Sequence, residues 1–486
     1  MSSLINKTSN GKVFIISLII LAFFLRTRHL STDLLFHRDQ GLHSLSIWNI
    51  THQSKMSLLG HPSDVDGLTH APIYYWLMLP SYALFQGSPV AASLFQITLE
   101  VMSLPFLYLG IKKLFNRKTA LLTLLVYSVS YGGIGLSRWL VNVTPILPLT
   151  NILLFLLTHN PKVFITSLVV GIITQLNAAI GVFLFPFLFW FYRSRLNLKT
   201  IGLILLGFLA PALPLIVFEL RHNFVITQAV LNFSSQTGHG LGLTLGVFAT
   251  NLSVLLTEIN KVIFYPYFYF STILFFFGLY KIRKLEHSKL IYAFLLIPFL
   301  GLSLFQRGAI GFFFVSLIYL STAVAVYGLQ TLNRLLSSVL IILIITLTLT
   351  SLSNVYQPNN ALTPIGNANI ITIQDRKNII DFMYQTAEGE QFSVWFYTIP
   401  YFQEEVWDHM FNYYAEPKYG YLPEATTGFS PNDLETSKMF FSVYEPDEDQ
   451  PVKLESWQKE AVKNFGTTTK ELTSRDLHVS LHSWLP

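Results

Sequence analysis

Carboxylates are scarce over most of this chain, and that limits what it can fold into. Before Gln357 there are only eight: Asp33, Asp39, Asp64, Asp66, Glu100, Glu219, Glu258 and Glu286. Long apolar blocks run between them. Of the 486 residues, 52% are hydrophobic and 12% charged, where a water-soluble domain carries roughly twice that charge. Such a chain folds in a bilayer, where helices satisfy their own backbone groups. From Gln357 onward the character reverses. Residues 1–356 hold 23 Lys and Arg against 8 acids, and residues 357–486 hold 9 against 19. The shift marks a boundary between a transmembrane domain, 1–356, and an acidic soluble domain, 357–486.

The apolar blocks predict about eleven spans. They fall at 13–25, 90–111, 120–137, 145–158, 201–218, 267–280, 290–305, 309–330 and 335–352. Residues 163–192 add a hairpin of two short helices turning at Gln175–Asn177. With that hairpin, the basic clusters at 112–118, 193–199 and 281–289 share one side, the cytoplasm. The N-terminus is then cytoplasmic and the C-terminal domain extracytoplasmic, on a multi-pass protein of the cell (plasma) membrane. The basic balance is a topology signal and implies no nucleic acid. Cys is absent, which excludes disulfides, thiolate metal sites and a Cys nucleophile.

Four of the eight carboxylates lie between Asp33 and Asp66, in an external loop of about residues 27–88. Alternation around Leu42–Ile50 predicts an amphipathic helix on the membrane surface. The apolar run at 72–85 is too short for a span and suits an interfacial or re-entrant helix. Glu100 lies inside a span, so it requires a partner; a bond to a neighbouring helix is expected. Glu219-Leu-Arg-His opens an external segment reaching about Tyr265. In the soluble part, 392–397 and 439–444 have strand patterns, while 377–384 and 406–414 have helix patterns, giving a small α/β domain. It contains no nucleophile elbow, phosphate loop or metal-ligand spacing.

Several short motifs carry a resemblance. Arg38-Asp39-Gln40 follows the first span. His70-Ala-Pro-Ile-Tyr74-Tyr75-Trp76 leads to Phe85-Gln86-Gly87. Arg138-Trp139-Leu-Val-Asn142 precedes Pro145, and Pro211 and Pro214 precede Glu219. Their order resembles the GT-C membrane glycosyltransferases, in the bacterial branch related to protein mannosyltransferases and the lipid A aminoarabinose transferase. Many of those proteins have Gln-x-His where this chain has Gln175-Leu176-Asn177, so no His role transfers there.

The resemblance implies an inverting transfer of a hexosyl or pentosyl group from a polyprenyl-phosphate donor, at the extracytoplasmic face, to a protein, lipid or glycan acceptor. Asp39 would be the general base, and Arg38, Arg138 and His70 would hold the donor phosphate. Tyr74, Tyr75, Gln175, Asn177, Glu219, Arg221 and His222 would be candidates for the substrate cavity. A divalent cation stays open as a cofactor, since some of these enzymes use one and others do not. Each residue also has a structural alternative. Asp39 could cap a helix, Arg38 could pair with it, and Arg138 could snorkel. His70 could shape a turn, and the tyrosines could anchor the interface. Two other classes remain: a lipid or glycolipid transporter, which predicts two related halves with broken helices, and a receptor that works through its C-terminal domain.

Overall fold

The computed structural model describes residues 8–53, 56–63, 67–235, 244–263, 268–304, 309–355, 371–431, 434 and 439–483. Asp64, Asp66 and the Gln357 boundary lie outside the described residues.

The N-terminal part is helical, with helices where the apolar blocks predict them: Thr8–Thr27, Pro89–Leu114, Ile146–His159, Val163–Leu176, Leu184–Tyr192, Phe268–Ile282, Ser288–Ser303 and Arg334–Val355. Local signals set several boundaries. Ser88 accepts from Ala91 N–H at 3.3 Å, Pro89 opens the helix, and Lys112 and Lys113 close it against the negative end of its dipole. Among the described residues, three helical segments are long and apolar enough to cross a membrane: Pro89–Leu114, Leu198–Arg221 and Gly311–Gln330. Outward-facing apolar side chains such as Met102, Leu206, Ile273 and Ile342 suit lipid.

Two expectations need correction. The span expected at 120–137 is bent by 63° between Arg117–Val129 and Tyr131–Arg138. Ser130 is the cause: its hydroxyl accepts from Gly133 N–H at 2.9 Å and starts a new helix there. The segment from Glu219 to about Tyr265, expected to be external, also differs in part. It forms the helices Val225–Ser235 and Leu245–Ile263, and the second is buried in the bundle through Leu255, Ile259 and Val262, an i, i+4, i+7 face.

The C-terminal part is a five-stranded sheet in the order β2-β1-β3-β5-β4, with β1 Phe392–Tyr397, β2 Ala425–Thr427, β3 Met439–Tyr444, β4 Thr467–Ser474 and β5 Leu477–Ser483. β1 runs parallel to β2 and β3, and β5 runs antiparallel to β3 and β4. β1 is buried on both faces, as its continuous apolar sequence requires. Phe392, Val394 and Phe396 face the core of the helix Ile373–Ala387, while Trp395 and Tyr397 pack on Trp457 from the helix Pro451–Phe465.

Candidate active site

The external loop is fastened to the sheet domain before its helix begins. Phe36 N–H donates to Ile371 C=O at 3.2 Å, and Ile373 N–H to Leu34 C=O at 2.9 Å. Arg376 is fully buried; its Nε donates to Phe36 C=O at 2.7 Å, and the same guanidinium reaches Glu445 at 3.2 Å and lies 4.9 Å from the centre of the Trp407 ring. The helix Arg38–Gln53 then starts with Gln40 folded back to accept from His37 N–H at 2.9 Å. Asp39 stands in its first turn, half-buried, where the helix dipole favours a carboxylate.

This helix does not lie on a bare membrane surface. It is clamped between the helices Ile73–Leu84 and Glu405–Met410. Gly41 is required there, because a Cβ would come within 2.5 Å of Val406 Cα. Arg38 Nε donates to Gln403 Oε1 at 2.5 Å, and Ser44 and Tyr82 share a 2.6 Å bond. His409 completes the junction. Its Nε2 lies 3.0 Å from Gly87 C=O, and Gly87, at φ 80°, leaves no room for a Cβ beside Trp48. That accounts for the Phe85-Gln86-Gly87 step.

Beside Asp39, one helical turn on, lies a group of histidines. Residues 60–62 pair with residues 69–70, with Gly60 N–H on His70 C=O at 2.8 Å and His70 N–H on His61 C=O at 2.9 Å. His43 is buried, with His61 centred 4.6 Å away, Tyr74 4.7 Å and Tyr75 5.8 Å. Burial first, then His61 and His70, push its pKa well below the usual imidazole range, so it is neutral at pH 7. A cavity of about 290 Å³ opens between the helix and residues 57–62, lined by Ser46, Asn49, Gln53 and Tyr75. Asp39 begins the stripe Leu42, Ser46, Asn49, Gln53, whose steps of three and four residues follow one helix face.

The other predicted residues are placed as follows. Tyr74 and Tyr75 are both buried; Tyr75 lines the cavity and Tyr74 packs behind it on His43. Arg138 is buried, ion-paired with Asp33, and donates to Arg28 C=O at 3.3 Å. Asn142 donates to Leu176 C=O at 2.6 Å, tying Arg138-Trp139-x-x-Asn142 to the end of Val163–Leu176. Asn177 is buried beside that bond and Gln175 is half-buried. Glu219 caps Val225–Ser235, accepting from Ile226 N–H at 2.8 Å and from Thr227 N–H at 2.9 Å. His222 bonds back to Phe218 C=O at 2.8 Å and stacks on the Phe218 ring, while Arg221 is exposed. An apolar groove of about 400 Å³ runs between Leu215, Ile216, Leu220 and Phe224, Val230, Leu231. Among the described residues, no three His, Asp or Glu come together as a cation site, so the divalent ion left open above has no ligand set there. Arg376, Gln403, Glu445 and His409 come from the sheet domain; no motif singled them out.

No family model and no curated protein matches the sequence. Solved structures do match its shape. ArnT from Cupriavidus metallidurans bound to undecaprenyl phosphate is 10% identical, with a TM-score of 0.62, covering 98% of each chain. The same protein in the apo state gives 0.58 at 10% identity, covering 97% of this chain and 98% of that one. The archaeal oligosaccharyltransferase AglB from Archaeoglobus fulgidus gives 0.46, covering 94% of this chain and 72% of that one at 10% identity. Over nearly its whole length the chain therefore has a fold similar to that of ArnT, with a helical part followed by a small C-terminal sheet domain.

Proposed function

We propose that this protein is an integral membrane glycosyltransferase. It moves a hexosyl or pentosyl group from a polyprenyl-phosphate donor to an acceptor hydroxyl at the extracytoplasmic face, with inversion. The fold shared with an ArnT seen with undecaprenyl phosphate supports the donor class. The observation that carries the site is the helix Arg38–Gln53: Arg38 and Asp39 stand at its N-terminus, one turn before the cavity that Leu42, Ser46, Asn49 and Gln53 line, while both domains hold it in place.

Asp39 takes the acceptor proton as the acceptor oxygen attacks the anomeric carbon. The bond from that carbon to the phosphate oxygen breaks, and polyprenyl phosphate leaves. Arg38 and His70 oppose the charge that develops on the phosphate. Arg138, committed to Asp33, acts further back by fixing the start of the loop. The apolar groove along Leu213–Arg221 suits the polyprenyl tail. The polypeptide crosses the membrane about eleven times, with its basic clusters in the cytoplasm and residues 357–486 outside. Purified protein supplied with radiolabelled polyprenyl-phosphate sugars should release polyprenyl phosphate with at least one donor. Lipid movement across vesicles with no turnover of any donor would instead establish a transporter.

A further inference from the structure

The sheet domain carries a second cavity, of about 240 Å³, beside residues Trp395–Thr398 and Gly428–Phe429. These positions are the carboxyl ends of the parallel strands β1 and β2. Strand ends of parallel sheets are where such folds bind ligands, because the connecting loops diverge there.

The walls are aromatic and held in place. Trp395 and Trp457 are centred 4.6 Å apart, and Tyr397 lies 5.5 Å from Trp457. Asp447 accepts from the Tyr397 hydroxyl at 2.7 Å and the Tyr401 hydroxyl at 2.6 Å, which fixes both rings. At the mouth, Phe402 is 50% and Phe429 63% exposed. They stack with centres 5.1 Å apart and planes 7° from parallel. Phe402 has φ 61°, a left-handed conformation that costs a side-chain-bearing residue energy. Two exposed apolar rings, one on a strained backbone, are unfavourable in isolation; they become useful when a ligand covers them. The polar side comes from the helix Pro451–Phe465, where Lys453, Ser456 and Glu460 stand at i, i+3 and i+7 and turn a cation, a hydroxyl and a carboxylate to one face.

We propose that this cavity binds a single saccharide ring, and, resting on the transferase reading above, that the ring belongs to the acceptor. Flat aromatic faces match the C–H faces of a sugar, while its hydroxyls require the polar helix edge. Lys453 already lies over the Tyr401 ring, but an apolar peptide would bury the Glu460 carboxylate without a partner. The volume lies at the small end for ligand sites and suits one ring more than an extended chain. The loop that displays Phe402 also reaches Arg38, the residue before the proposed base. Gln403, its next residue, accepts from Arg38, and Thr398 Oγ1 accepts from Gln403 N–H at 3.0 Å. Occupation of the cavity is therefore felt one residue from Asp39.

The test uses the full chain in nanodiscs, following intrinsic tryptophan emission during titration with free hexoses, pentoses, amino sugars and uronic acids. At least one class should give a saturable shift, because Trp395 and Trp457 line the cavity. Phe429→Ala should weaken that binding by about tenfold, the share of one ring contact, and Lys453→Gln should weaken it too. Both should melt with the wild type. Absence of a saturable shift in every class, unchanged affinity in a folded Phe429→Ala, or saturation only by an aromatic peptide would each overturn the site. Donor turnover measured on the same samples separates the two ideas. Turnover without sugar binding removes the cavity proposal alone. Sugar binding without turnover leaves a saccharide site standing but removes its assignment to an acceptor.

Discussion

Arg26 and Arg38 flank the same short stretch of chain and have opposite surroundings. Arg26 is fully buried in the bundle. Its guanidinium donates to Glu100 at 3.0 Å, to Ser137 at 2.8 Å and to the carbonyls of Ala22, Ser128 and Tyr127. Glu100 also accepts from Ser137 at 2.6 Å and from Tyr319 at 3.1 Å. That knot joins four parts of the bundle and completes its own hydrogen bonding. Arg38 is half-buried, and among the described residues its side-chain hydrogen bond runs to Gln403. A charge in apolar surroundings costs several kcal/mol unless paired, so a saturated Arg is architecture. A half-buried Arg with one side-chain bond at a helix start keeps donors free, which is what the proposed phosphate role of Arg38 requires.

The sharpest way to break this contrast is to truncate one member of each site. Glu100→Ala strands the Arg26 guanidinium and should cost about 3–5 kcal/mol, seen as a large drop in thermal stability after extraction. Arg38→Ala should cost about 1 kcal/mol or less while weakening donor binding. Equal stability losses for the two would end the distinction.

A smaller effect lies where the sheet domain meets the loop helix. Burial, then the charge of Glu405, raises the pKa of Asp408 to about 6. An unfolded Asp titrates near 4, so the folded state holds this proton more tightly. Its stabilising contribution is present below about pH 4 and is lost as pH rises through about 6. Asp408→Asn should therefore gain about 1–2 kcal/mol at pH 7, discounted for partial exposure. His409, held near 3 mainly by burial, has the opposite sign, its contribution falling as pH drops below the usual imidazole value. The informative quantity is thus the difference between variant and wild-type melting across that range, and a constant difference would contradict the assignment.

The smallest effect concerns the cap that starts the sheet domain. Thr372 and Asp375 form a reciprocal capping box, with Asp375 accepting from Thr372 N–H at 2.8 Å. Thr372→Ala should cost about 1 kcal/mol, read as a modest shift in melting temperature with turnover retained.

The helices were largely legible in the sequence because each apolar run must hide its backbone from lipid, whatever it packs on. The helix break at Gln175–Asn177 is an example. The sequence interruption there falls inside 163–192, and the structure ends one helix at Leu176, forms the short helix Ala178–Gly181 and begins another at Leu184. The tie on Glu100 was legible for the same reason. Leu245–Ile263 was less visible, because its polar positions Asn251 and Glu258 disguise a buried face. In the candidate site, Arg38, Asp39 and Tyr75 stand out in local motifs. Arg376, Gln403 and His409 do not, since they reach the loop across more than 300 residues of sequence. Glu219 drew notice as a rare acid but serves its neighbouring helix as a cap.

The most direct test compares wild type and Asp39→Asn for consumption of a polyprenyl-phosphate sugar, with donor binding and melting temperature measured on the same preparations. Loss of about 10²–10⁴ in turnover with binding and melting unchanged is the expected result, since removal of a general base acts on the chemical step. Equal turnover in the two proteins would contradict Asp39 as the base and the helix Arg38–Gln53 as the active site.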